Sequence, residues 1–169
     1  MQQTKFLETV LPLKDKVFRL AKRLLVSTDE AEDATQEMYL KFWKNKEKLD
    51  QYNNIEAFAM TMTKNYCLDQ LKAKRSGNLK LVHSNYKDKD ISLDKDLELK
   101  DSVSKVHELI EKLPEKQKLV IQLRDIENYE YEEIGKILDL QPTAVRVALS
   151  RARKKIKEQL IQQHNYGIV

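Results

Sequence analysis

A chain of 169 residues accommodates one ordinary domain or two small ones. Its 31 Lys and Arg nearly balance 27 Asp and Glu, leaving a net charge of +4, so the placement of charge carries more information than its sum. Three Gly and three Pro argue against a turn-rich all-β fold, one cysteine makes no disulfide framework or zinc cluster, and no apolar run approaches the roughly 18 residues that span a bilayer. The first residues, with Lys5 and Glu8 flanking a short apolar patch, lack the hydrophobic segment of a signal peptide. A cytoplasmic protein with no membrane insertion is expected.

Val10, Leu13, Val17, Leu20, Ala21 and Leu24 recur three and four residues apart and predict a first helix, with Pro12 at its start. Ser27 and Glu30, three apart, read as a capping box opening a second. Asp29, Glu30, Glu32 and Asp33 fall in its first turns, where the macrodipole favours negative charge. Ala31, Ala34, Met38, Phe42 and Trp43 form its apolar stripe, and it should stop near Lys48. After the aperiodic stretch Leu49 to Asn54, a third helix carries Ile55, Phe58, Ala59, Met62 and Tyr66 on one side. It extends through Leu68 and Leu71, turns basic at Lys72, Lys74 and Arg75, and breaks at Ser76-Gly77. Cys67 sits at an apolar position of this helix and reads as a quiet core thiol. Three such helices predict a small bundle around one core.

From Gly77 to Lys100 the pattern dissolves into Lys, Asp, Ser and Asn, the composition of a charged tether. Val103, Val106, Ile110 and Leu113 then predict a helix ended by Pro114, and Leu119, Val120, Leu123 and Ile126 the next. A short helix from Tyr131 to Leu138, a turn at Asp139-Leu140-Gln141 and a long helix from Pro142 to about Gln162 follow. The predicted fold class is all-α: two small helical bundles joined by a flexible charged linker, with a C-terminal helix-turn-helix. The expected boundaries are 1–76, 77–100 for the linker, and 101–164.

The helices around Asp139-Leu140-Gln141 have the form of a helix-turn-helix, with Gly135 small where two helices must approach. In the last helix Val145, Ala148, Leu149, Ala152, Ile156 and Leu160 face inward, leaving Thr143, Arg146, Ser150, Arg153, Lys154 and Lys157 opposite. Between Arg146 and Lys157 lie six basic residues and no acidic one. Without carboxylates for i,i+4 pairing, such a face is costly as mere surface. It suits the major groove of B-DNA, where Arg reads guanine edges and Lys or Arg grips phosphate.

These residues resemble a family, the bacterial RNA polymerase sigma factors of the extracytoplasmic-function group. Asp29-Glu30-Ala31-Glu32-Asp33-Ala34-Thr35-Gln36-Glu37 followed by Trp43 is similar to that family's polymerase-binding motif. Phe58 to Asn65, continuing through Asp69-Gln70-Leu71 to Lys74-Arg75, resembles its promoter-melting helix. Leu113-Pro114-Glu115, Glu132-Glu133-Ile134-Gly135, Thr143-Ala144-Val145-Arg146 and Ser150-Arg151-Ala152-Arg153 resemble its promoter-reading domain. Two positions depart from the pattern: Phe58-Ala59 stands for a usual Trp-Leu pair, and Pro142 for a usual glycine before Thr143.

The resemblance implies the partners and the site residues. Asp33, Gln36 and Glu37 would dock on core RNA polymerase. Tyr52 and Asn53 in the loop, with Asn65, would select and hold a base of the melted −10 promoter strand, while Lys64, Lys72, Lys74 and Arg75 grip its backbone. Thr143, Arg146, Ser150, Arg151, Arg153 and Lys154 would enter promoter DNA at the −35 element. Asp88, Asp90, Asp94, Asp96, Glu98 and Asp101 in and beside the linker could mimic an RNA backbone; the interleaved Lys87, Lys89, Lys95 and Lys100 weigh against it, and an ordinary tether stands equal. The family further implies an anti-sigma factor, often membrane-anchored, as a partner. No cofactor is implied. An enzyme is disfavoured because His83, His107 and His164 have no Cys or carboxylate at metal-ligand spacing and no Gly-rich phosphate loop is present. The remaining alternative is a free-standing helix-turn-helix transcriptional regulator.

Overall fold

The computed structural model describes residues 3–77 and 97–166, and all regular structure among them is helical. The chain divides into two compact units, Met1–Lys89 and Asp90–Val169. Most of the expected linker, with its acidic residues from Asp88 to Asp96, lies outside the described residues.

In the first unit, α1 (Gln3–Val10) leads through a single 3-10 turn (Leu11–Leu13) into α2 (Lys14–Leu25). Periodicity anchored on Pro12 missed α1. Phe6 and Val10, four residues apart, are both buried and place α1 on the shared core. Pro12 opens the tight turn rather than a long helix. α3 (Thr28–Lys44) packs with α2 and with α5 (Ile55–Gly77), completing the expected bundle. Its centre is Phe6, Val10, Leu13, Val17, Met38, Phe42, Leu49 and Ala59. α3 ends at Lys44, earlier than expected, because the Asn45 side chain donates to the Lys41 carbonyl at 2.9 Å. The short α4 (Lys46–Leu49) follows and buries Leu49.

Polar groups inside this unit find partners. The buried hydroxyls of Thr35 and Thr63 donate one turn back, to the Ala31 and Ala59 carbonyls at 2.7 and 2.8 Å. The Tyr39 hydroxyl donates to the Val10 carbonyl at 2.7 Å and so pins α3 to the turn after α1; burial first, then Asp15, pushes its pKa up to about 12. Half of the expected capping box is present. Ser27 accepts from the Glu30 N–H at 3.3 Å, but the Ser27 N–H donates to the Leu25 carbonyl, and the Glu30 carboxylate pairs with Lys74.

That Ser27–Leu25 bond closes a γ-turn at Val26, whose φ of 67° and ψ of −41° are unfavourable for a β-branched residue. The side chain is 48% exposed and recovers little by packing.

In the second unit, α6 (Leu97–Glu111) begins before the expected end of the linker. Pro114 separates it from α7 (Glu115–Ile121). The helix then does not continue as a plain α-helix to Ile126. It widens to i→i+5 bonding, with the Glu127 N–H on the Gln122 carbonyl at 3.0 Å, and leaves through Asn128 in the left-handed region. The side-chain amide of Gln122 donates to Glu127 at 3.1 Å, and both are buried. α8 (Tyr131–Leu138) and α9 (Pro142–Tyr166) complete the helix-turn-helix, Pro142 occupying the first position of α9. Leu119, Val120, Leu123, Ile134, Ile137, Val145, Leu149 and Ala152 are buried in this unit.

Gly135 has a sharper role than helix–helix spacing. Asp139 closes α8 in the left-handed conformation, and the Leu140 N–H returns to the Gly135 carbonyl at 2.8 Å, the long bond of a Schellman motif. A Cβ at Gly135 would stand 2.6 Å from the Leu140 carbonyl oxygen, a backbone atom that cannot rotate away.

Two substitutions test this account of the backbone. Gly135→Ala is expected to lower stability by about 1–3 kcal/mol in urea unfolding, since the added methyl collides with main chain; an unchanged midpoint would show that the turn yields freely. Val26→Gly is expected to raise stability by about 0.5–1 kcal/mol, relief of the positive-φ strain exceeding the entropy that glycine loses. A fall in melting temperature would mean that the Val26 side chain packs better than its exposure indicates.

Candidate nucleic-acid interface

The inner stripe of α9 is buried at Val145, Ala148, Leu149 and Ala152, which turns Thr143, Arg146, Ser150, Arg151 and Lys154 outward; all five are exposed. Ile156 and Leu160, also expected inside, are only half-buried. The exposed cations differ in their surroundings. The Arg146 guanidinium lies 4.9 Å from the ring centroid of Tyr131, and Arg124 lies 4.8 Å from the same ring. Arg124 also donates to the Tyr129 carbonyl at 2.8 Å and pairs with Glu130 at 3.2 Å. Tyr131 is therefore held by the segment before α8, and it steadies Arg146 at the start of α9.

Arg153 is exposed as well, and it is ion-paired. Its guanidinium makes a two-point contact with Asp125, at 3.1 and 2.5 Å, which ties α9 to the widened turn after α7. The contact occupies Nε and one terminal nitrogen, while the side chain stays about half exposed with its other N–H donors toward solvent. Lys154 reaches Glu158 at 3.9 Å, a loose i,i+4 pair. Arg151, Lys155 and Lys157 have no ion-pair partner among the described residues. Val147 joins this face with 49% of its surface exposed, and the sequence reading overlooked it.

In the first unit the loop before α5 ends in Asn54, whose side chain accepts from the Ala57 N–H at 2.9 Å and caps the helix. Tyr52 and Asn53 are exposed. Tyr52 stacks on Phe58 with centroids 3.8 Å apart and planes 20° from parallel. Phe58 is half-buried against the core, so it is both a core residue and the floor of an aromatic platform. Phe58, Asn65 and Lys72 recur at seven-residue intervals along one face of α5. Asn65 is exposed and Lys64 half-buried; Lys72 and Arg75 are exposed and without an ion pair among the described residues, whereas Lys74 is bonded to Glu30.

A third surface runs along α3. Asp33, Gln36, Glu37, Leu40 and Trp43 recur at three- and four-residue steps, so they share a face. Asp33 and Gln36 are exposed, Glu37 is half-buried near Lys41 at 3.9 Å, and Leu40 is 54% exposed. The sequence reading missed Leu40, although the register from Asp33 leads to it. Trp43 meets Phe6 in a T-shaped contact with ring centroids 5.1 Å apart, and the Lys46 ammonium lies 4.0 Å from the Trp43 ring. Across on α5, the Tyr66 hydroxyl is held above its ordinary pKa first by burial, then by Glu37, Cys67 and Asp33. Cys67 is buried, and burial pushes its thiol up to about 12, which leaves no thiolate for nucleophilic chemistry near neutral pH. Among the described residues no helix is long and apolar enough to cross a membrane.

Comparison with known proteins identifies the family. Residues 10–77 match the family model for sigma-70 region 2, and residues 104–156 match that for sigma-70 region 4. The chain is 28% identical to the ECF RNA polymerase sigma factor SigW of Bacillus subtilis, over 94% of this chain and 90% of that protein. It is 30% identical to the ECF RNA polymerase sigma-E factor of Escherichia coli K12, over 87% of this chain and 82% of that one. Among solved structures, the sigma factor RpoE in complex with the anti-sigma factor NepR from Bartonella quintana superposes with a TM-score of 0.71 at 22% identity, covering 92% of this chain and 96% of that chain. CnrH in complex with the cytosolic domain of CnrY gives 0.69 at 18%, covering 95% and 90%. With both sigma regions present in order and a sigma-E relative matched over most of its length, the chain belongs to the extracytoplasmic-function RNA polymerase sigma factors.

Proposed function

We propose that this chain carries core RNA polymerase to promoters by dividing the work among three surfaces. The α3 face of Asp33, Gln36 and Glu37, with Leu40 as its apolar centre, meets a helical surface of the polymerase. The Tyr52–Phe58 platform and Asn65 receive the opened −10 strand, Asn53 lines the approach, and Lys64, Lys72 and Arg75 follow its backbone beside Lys74, which Glu30 holds. Thr143, Arg146, Ser150 and Arg151 enter the −35 major groove, with Lys154 on phosphate and Arg153 fixing the helix through Asp125. The role is non-catalytic and cytoplasmic. An anti-sigma factor as a further partner is in keeping with the two structural relatives, each of which is in complex with one or with a cytosolic partner domain.

The observation that carries this reading is the exposed row of Thr143, Arg146, Ser150 and Arg151 on the second helix of a helix-turn-helix, in a chain that also has a sigma region 2. A free-standing regulator would need only the first feature.

Run-off transcription on the DNA upstream of the chain's own gene, with purified core RNA polymerase, is expected to give a discrete transcript only when the chain is added. No transcript, together with no co-purification with core polymerase, would put the free-standing regulator first. On the same template, Arg146→Ala is expected to weaken −35 recognition by about 1–3 kcal/mol and to relax sequence preference at one position. An equal loss on every −35 sequence would assign Arg146 to phosphate instead.

A further inference from the structure

We propose that Val147 reads the methyl group of a thymine in the −35 element, and so sets part of the promoter specificity of this sigma factor. The inference rests on the reading of α9 as the −35 helix. A single exposed valine on a protein surface means little by itself. Here its position gives it meaning. The buried stripe of Val145, Ala148, Leu149 and Ala152 leaves Val147 outward, with 49% of its surface exposed. Its neighbours on that outward face are Thr143 one turn before, Arg146 beside it, and Ser150 and Arg151 one turn after. A valine in this ring of polar and cationic side chains, within the first two turns of the helix, stands where base edges are contacted.

The chemistry of the groove then selects the target. Valine has no donor or acceptor, and in a helix its χ1 is confined almost to one rotamer, so its methyl groups sit at a fixed place. The thymine C5-methyl is the apolar group that the major groove offers. A cytosine amine or a purine edge pressed against Val147 would lose water without gaining a hydrogen bond. Arg146 supplies the register, since the Tyr131 ring restrains it and it is adjacent in sequence. One residue advances α9 by about 1.5 Å, so the thymine should lie within about two base pairs of the pair that Arg146 contacts.

The test uses the full chain assembled with core RNA polymerase on the promoter found by run-off transcription. Each −35 thymine is replaced in turn by deoxyuridine, which removes the methyl and keeps every hydrogen-bonding group. For the unaltered chain one position is expected to lose binding about fourfold, the worth of one buried methyl. The Val147→Ala holoenzyme should be indifferent to deoxyuridine at that same position while keeping its preference at the pair contacted by Arg146. Indifference of the unaltered chain at every thymine would overturn the proposal, as would an undiminished deoxyuridine effect in Val147→Ala. Absence of any promoter binding by the holoenzyme would instead remove the sigma-factor reading, and this inference with it.

Discussion

The aim of α9 depends on the close approach of Gly135 to the backbone of Leu140. With no Cβ at that position, α8 can end in the left-handed Asp139 and the chain can turn back within three residues, Leu140 returning its N–H to the Gly135 carbonyl. A longer or looser turn would let α9 rotate about its axis, and a rotation of one residue is about 100°. That would bury Arg146 and expose Val145. Two further contacts hold the same setting from other sides. The widened turn after α7 presents Asp125 to Arg153, and the first residue of α8, Tyr131, faces Arg146. A surface ion pair of this kind is worth about 1 kcal/mol at most. Its value lies in orientation, because a two-point guanidinium contact restricts rotation of the helix that carries it.

Helix periodicity made most of this architecture legible, and its failures have local causes. α2, α3, α5 and α8 follow from apolar spacing, and Pro142 marks the start of α9. α1 was missed because eight residues contain only two buried positions, Phe6 and Val10, too few to register as a period. The widened turn at Gln122–Ile126 was missed because i→i+4 and i→i+5 bonding place Leu119 and Leu123 on nearly the same face. Only the later backbone, leaving through Asn128, reveals the extra residue. Among the site residues, Asp33, Gln36, Asn65 and Arg146 could be assigned to exposed faces from register alone. The capture of Arg153 by Asp125 joins residues 28 apart in sequence and leaves no local pattern. Val147 and Leu40 were passed over for a different reason. Reading a face by its charges discards an apolar residue that stands among them.

Ion pairs tie helices together within each unit. Lys16 on Glu56 and Lys74 on Glu30 join helices within the first unit, and Arg153 on Asp125 does so in the second. Arg146, Arg151, Lys155 and Lys157 along α9, and Lys72 and Arg75 at the end of α5, are without ion pairs among the described residues, as are Lys14, Lys44, Lys48, Lys112, Lys116 and Lys136 elsewhere. The cluster at the end of α5 lies within the sigma-70 region 2 match, and most of the α9 cluster lies within the region 4 match.

The placement of charge along the chain bears on how a sigma factor works with a net charge of only +4. Non-specific attachment to DNA grows with every phosphate a protein can neutralise, and a uniformly basic chain would spread itself over the genome. Here the acidic residues Asp29, Glu30, Glu32, Asp33 and Glu37 gather on α3 and the cations gather on α9 and the end of α5. Segregation keeps long-range attraction to DNA modest while preserving local attraction where contacts are made. A surface acidic at one face and apolar at Leu40 is repelled by DNA and suited to a basic protein surface. Binding there first would bring the cations of α9 to a promoter by way of the polymerase, with the affinity for DNA supplied by the assembly and the choice of site left to a few residues at the start of one helix.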